Sequence, residues 1–175
     1  MHRITAQRVL FEVHAGIDPI ATVPVGQPFV VEMRDALDGQ VREGHDEMPE
    51  IERANPVTGP IHLDGVHAGD CLCIDILSVD PAPTGYLTFQ RTPRFFEQTG
   101  NTLHLFSGIR LAMEPMIGTI GFLPASGSAT TKDGGDYGGN LDTRDVGGGC
   151  SLYLTAQVEG GGLFLGDVHS LQGDG

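Results

Sequence analysis

Two polar clusters near the carboxyl end of the sequence interrupt apolar, strand-like segments, and both carry groups able to do chemistry. One is Gly138-Gly139-Asn140-Leu141-Asp142-Thr143-Arg144-Asp145, and the other is Gly166-Asp167-Val168-His169-Ser170-Leu171-Gln172-Gly173-Asp174-Gly175. Asp167 and His169 stand two apart, so on an extended segment their side chains point to one side. A carboxylate beside an imidazole makes a divalent-metal pair, with zinc the first choice for an imidazole-containing site. By spacing alone, however, a D-x-H pair reads more readily as a surface hydrogen bond. Asp-rich loops with glycines also suit oxygen-only coordination, which keeps calcium as the second choice. His14, His45, His62, His67 and His104 are scattered, and each reads as a solvated or hydrogen-bonded histidine.

Something must position these groups, and the sequence points to short strands. Three segments share one grammar, a turn glycine followed by apolar residues at every second position. Gly26 precedes Phe29, Val31 and Met33; Gly69 precedes Leu72, Ile74 and Ile76; Gly147-Gly148-Gly149 precede Leu152, Leu154, Ala156 and Val158. Residues two apart share a sheet face, so each segment predicts a half-buried strand, with Leu72, Ile74, Ile76, Leu152 and Leu154 inward. Gly160-Gly161-Gly162 and then Leu163-Phe164-Leu165 read as the turn and return strand of a hairpin. Prolines at 81, 83, 93, 115 and 124 break the middle of the chain, and no window sustains a helical apolar stripe. Arg94 to Gln98 is the one place for a short turn of helix, and Ala125 to Gly139, without apolar periodicity, reads as a long loop. Cys71 and Cys73, on an apolar strand, read as small core hydrophobes. The expected fold is all-β: an antiparallel sandwich or distorted barrel of short strands with long Gly-rich loops, forming one β-rich region over residues 1–175.

Bulk properties narrow the function by exclusion. The 175 residues carry 10 basic and 23 acidic side chains, a net charge of −13, which repels a phosphate backbone and argues against nucleic-acid binding. No apolar run is long enough to span a bilayer, so no membrane partner is expected. Met1 to Leu10 lacks the apolar stretch of a secretory signal, and three cysteines cannot all pair internally, so the expected location is the cytoplasm. The 26 glycines are aperiodic and crowd toward the end of the chain, which fits turns and bulges and neither collagen nor a flexible linker.

Several motifs in one order carry a resemblance. Gly138 to Asp142, the strand from Cys150 to Val158, and Gly166 to Gly175 resemble the signature region of the acetamidase/formamidase family. Upstream, Asn55-Pro56-Val57-Thr58-Gly59-Pro60-Ile61 and Gly69-Asp70 match that family's "N-P-x-T-G-P … G-D" segment. Asp35 to Gln40 and Ile117 to Gly121 before Pro124 fit as well. The resemblance covers nearly the whole chain. It implies a mainly β fold, oligomers, and hydrolysis of short linear amides such as formamide or acetamide to the acid and ammonia by metal-activated water. It further implies Asp35, Asp142, Asp167 and His169 as metal positions, Asp167, His169 and Asp174 in catalytic roles, and Asn140 and Gln172 beside the substrate. Two departures accompany it. Tyr137 stands where the family often has a histidine, and the sequence stops inside a motif that the family continues with a glutamate and a further β region. The expectation is therefore an amino-terminal part of such an enzyme, a homo-oligomer or one completed by a companion chain. The alternative is a truncated, non-catalytic β domain that binds a companion chain or small ligand.

The chemistry required is consistent with these groups. An amide is a poor electrophile with a poor leaving group, so its hydrolysis needs a polarised carbonyl, an activated water and a proton for the departing nitrogen. Amidases built on Ser-Ser-Lys or Cys-Glu-Lys need a catalytic lysine, and Lys132, the only lysine, lies in the Gly-rich stretch without the flanking elements. Cys150 has no histidine neighbour in sequence to activate it.

Overall fold

The computed structural model describes residues 1–173. Its first strands are β1 (His2–Ile4), β2 (Val9–Leu10), β3 (Glu12–His14), β4 (Ala21–Pro24), β5 (Phe29–Val31), β6 (Val57–Asp64) and β7 (Cys71–Asp75). The middle of the chain forms β8 (Thr84–Phe89), β9 (Thr92–Thr99), β10 (Thr102–His104) and β11 (Arg110–Ala112). The remainder is β12 (Met116–Gly121), β13 (Ser128–Thr130), β14 (Gly134–Gly135), β15 (Gly138–Asn140), β16 (Ser151–Thr155) and β17 (Leu163–His169). Among the described residues there is no α-helix, only one 3-10 turn at Phe106–Gly108. The all-β expectation holds.

A seven-stranded sheet organises the molecule. Its order is β14-β15-β12-β17-β6-β2, and β4 also pairs with β6. Alternation along β17 sends Leu163 and Leu165 to one apolar cluster and Phe164 to another, so apolar side chains pack on both of its faces. The first cluster gathers Val23, Ile61, Ile117, Ile120 and Phe122; the second gathers Val13, Val57, Leu123 and Tyr137. The ribbon of β7 and β16 covers the first, with Ile74 paired to Leu152 and Leu72 to Leu154. Ile76 is buried, and Leu72, Ile74, Leu152 and Leu154 are half-buried against that core, so the strand phase is as expected.

Four local readings are corrected. Cys71 and Cys73 are exposed, because the alternation that turns Leu72 and Ile74 inward turns the cysteines outward. Arg94 to Gln98 belongs to β9, which pairs with β8 and β10 in a separate four-stranded sheet. The Gly160-Gly161-Gly162 turn joins strands of different sheets: β16 pairs with β7, whereas β17 pairs with β12 and β6. The stretch 125–139 contributes β13, β14 and the start of β15. The sheets are mixed, since β1 pairs with β5, and β4 with β6, in parallel.

Candidate metal centre

The register of the large sheet explains how positions far apart in sequence meet. β12 lies between β15 and β17, so the chain just after β15 and the end of β17 flank the same stretch of β12. Gly118 falls opposite Asp167, between the pairs Ile117–Val168 and Thr119–Gly166. On the other side, the Gly118 carbonyl accepts the N–H groups of both Leu141 (2.9 Å) and Asp142 (3.0 Å). Asp142 and Asp167 have φ of 46° and 58°, a left-handed conformation that short polar residues tolerate and that recurs at functional sites. Gly118 is required by close approach: a Cβ there would lie 2.9 Å from Asp142 Oδ1, Asp167 Oδ2 and the Asp167 carbonyl.

Asp142, Asp167 and His169 form the resulting group, each offering a ligand atom within 4.8 Å of the others. His169 Nε2 lies 3.4 Å from Asp167 Oδ1 and 3.5 Å from Asp142 Oδ1. These are long contacts, and His169 Nε2 and Asp142 Oδ1 remain buried without a hydrogen-bond partner. Buried polar atoms are ordinarily satisfied, and these two face each other at 3.5 Å without closing a hydrogen bond, which leaves them available to a cation. The attraction of Asp167 for its N–H raises the His169 pKa above the ordinary 6.5; burial opposes this, and the charges of Asp167 and Asp142 add to it. Two carboxylates and an imidazole form a donor set suited to a divalent cation, which would occupy both orphaned atoms.

A hydrogen-bond net fixes the two carboxylates. The Asn140 amide donates to Asp142 Oδ2 (3.3 Å), and Asn140 Oδ1 accepts from Thr119 Oγ1 (2.8 Å) and from Asn55 Nδ2 (3.3 Å). Asn55 Nδ2 also reaches Asp167 Oδ2 at 3.5 Å. Asn140 is thus engaged in holding Asp142, and the Gln172 side chain donates to the Asp142 carbonyl at 3.4 Å. Asp35 is not brought into the three-residue group. Its carboxylate instead accepts the N–H groups of Leu37 and Gly39 and the hydroxyl of Tyr86. It nevertheless lines the same cleft of about 1440 Å³ as Tyr86, Asp167 and His169. Asp174 lies outside the described residues. Sequence reasoning did not single out Asn55, Thr119, Tyr86 or Gly118 as site residues, because only tertiary folding brings them to the carboxylates: Thr119 and Gly118 through the register of β12, Asn55 from the segment before β6, and Tyr86 from a separate sheet.

Comparison with known proteins agrees with this architecture. The model of the acetamidase/formamidase family matches residues 3–105 and 123–175. The chain belongs to this family. A crystal structure of an acetamidase from Bacillus halodurans superposes with a TM-score of 0.94 at 31% identity, over 99% of this chain and 63% of that one. An acetamidase of Mycolicibacterium smegmatis is 25% identical over 93% of this chain and 59% of its own length. A formamidase of Methylophilus methylotrophus is 24% identical over 93% of this chain and 58% of its own. The chain therefore spans about three fifths of the length of these relatives. Among the described residues no helix is long and apolar enough to cross a membrane.

Proposed function

We infer that this member of the family is an amide hydrolase that converts short linear amides, of the formamide or acetamide type, to the carboxylic acid and ammonia. The observation that carries the reading is the pair of buried atoms without a hydrogen bond, Asp142 Oδ1 and His169 Nε2, beside Asp167, with Asp167 and His169 lining the cleft. The acetamidase and formamidase relatives supply the substrate class. Asp142, Asp167 and His169 would hold the cation, zinc before calcium because an imidazole is among the donors. When bound, such an ion polarises a carbonyl and lowers the pKa of water. Asp167, nearly enclosed, is held by Asn55 and serves as the fixed donor. Asp142 is the more exposed carboxylate of the two and would hold the cation from the solvent side. Asn140 and Thr119 keep its oxygens aimed, and Gln172 braces its backbone. Three unpaired thiols at Cys71, Cys73 and Cys150 fit a reducing, cytoplasmic setting.

The test is metal binding and ammonia release by the full-length protein after chelation and reloading with zinc. The reading expects saturable zinc binding, ammonia from formamide or acetamide, and loss of both in H169A with the fold retained. Zinc binding without ammonia release would favour the non-catalytic domain instead. Full activity in H169A would reject the site.

A further inference from the structure

Asp35 and Tyr86 form a second polar unit in the cleft that the metal centre does not use. Tyr86 sits in β8, opposite Phe95 of β9, and the two rings are 5.3 Å apart between centroids, tilted by 44°. Its hydroxyl donates to Asp35 Oδ1 at 3.0 Å. Asp35 is itself anchored to the backbone: the same oxygen accepts the Leu37 N–H at 3.0 Å, and its other oxygen accepts the Gly39 N–H. The loop beneath is pinned by Asp38, whose carboxylate meets Arg34 at 3.0 Å and Arg53 at 3.1 Å, and by the Asn55 N–H on the Ala36 carbonyl at 2.7 Å. The second of these ties it to the residue that also reaches Asp167.

This arrangement fixes the direction of one proton. An ionised carboxylate can only accept, so the phenol must donate to Asp35, and its own oxygen is left with lone pairs and no hydrogen to offer. Burial, with Asp35 and then Asp167 adding, pushes the Tyr86 pKa far above 10, so the hydroxyl keeps its proton. The half-buried ring lines the same cleft as Asp167 and His169. Position 86 thus brings to the lining of the cleft a hydroxyl whose proton is committed to Asp35 and whose oxygen can accept.

We propose that Tyr86, oriented by Asp35, is the residue that recognises the N–H group of a primary amide substrate. The inference rests on the amide-hydrolase reading and deepens it. A primary amide has N–H donors and a carbonyl; the carbonyl belongs at the metal centre, which leaves the N–H side for an acceptor. The carboxylate product has no N–H and cannot make this contact; when the C–N bond breaks, the N–H groups leave with ammonia. The acceptor therefore favours the amide over the carboxylate product.

The test compares the full-length wild type with Y86F, measuring KM and kcat for acetamide and the competitive inhibition constant of N,N-dimethylacetamide, which has no N–H. Y86F should fold, because Asp35 retains two backbone donors and phenylalanine keeps the ring against Phe95; thermal melting checks this. The expected result is a KM for acetamide raised about tenfold with kcat within about twofold, and an inhibition constant for the dimethyl amide that does not move. Should Y86F not fold, Tyr86→Leu carries the same comparison. An unchanged KM, or a KM and inhibition constant that rise together as a merely structural defect would make them, overturns the inference. A wild type that releases no ammonia from acetamide or formamide overturns the underlying reading, and the inference with it.

Discussion

Replacing Gly118 by alanine tests the geometry of the centre without touching a single ligand. The added methyl would stand 2.9 Å from an oxygen of each carboxylate and 2.9 Å from the Asp167 carbonyl. Ordinary contact needs about 3.4 Å or more, so relief demands shifts of about half an ångström on three atoms. The two side-chain oxygens can swing away, but only by weakening the Asn140 and Asn55 bonds that aim them. The Asp167 carbonyl is backbone, in a strand paired on both sides, and cannot yield without loosening β12 against β17. Overpacking of this kind costs about 1–3 kcal/mol. Zinc affinity should fall roughly 10- to 100-fold, the usual consequence of displacing groups that orient ligands. Urea unfolding gives the first quantity and competition with a chromophoric chelator the second. G118A with wild-type stability and wild-type zinc affinity would refute the close approach on which the centre depends.

The remaining predictions concern charge and packing. His169 has its pKa raised in the folded state, so in chelated protein its contribution to stability is complete below the ordinary value of 6.5 and fades as pH rises through the folded value. Zinc competes with that proton, so apparent zinc affinity should climb with pH over this window and then level; a zinc affinity independent of pH there would count against His169 as a ligand. Phe164, fully buried in the second apolar cluster, should cost about 3–5 kcal/mol in urea unfolding on F164A, with a near-native value counting against the observed packing.

How much of this was legible in the sequence depended on whether the signal was local. The alternation in 71–76 and 151–156 is a local signal and put Leu72, Ile74, Ile76, Leu152 and Leu154 on the correct side. The same alternation puts Cys71 and Cys73 outside; treating cysteine as a hydrophobe by type overrode it. β9 lacks a clean alternation, and its extended form comes from pairing with β8 and β10, which no short window contains. Gly160 to Gly162 announce a turn but not which strands meet beyond it, since partner choice is set by the whole sheet. The site divides in the same way. Asp167 and His169 are neighbours on one strand and were visible as a pair, whereas Asp142 joined them only through resemblance, and Asn55 is 112 positions from Asp167. Asp35 lines the same cleft as Asp167 and His169, but its engagement by Leu37, Gly39 and Tyr86 depends on a turn and on a strand 51 positions away.

Because β12 is the ruler against which both Asp142 and Asp167 are placed, its length matters more to the site than most of its side chains. Met116, Ile117 and Ile120 answer to the core and can be exchanged for residues of similar volume. A single inserted or deleted residue has no such tolerance, because it would turn alternate positions to the other face and slide β15 relative to β17. The two carboxylates would then stand about one residue, roughly 3.3 Å, out of step, more than the spread a shared cation can bridge. Drift in this protein should therefore be accepted at Met116, Ile117 and Ile120 but not at Gly118 or Gly121, while gaps are confined to the loops at the two ends of β12.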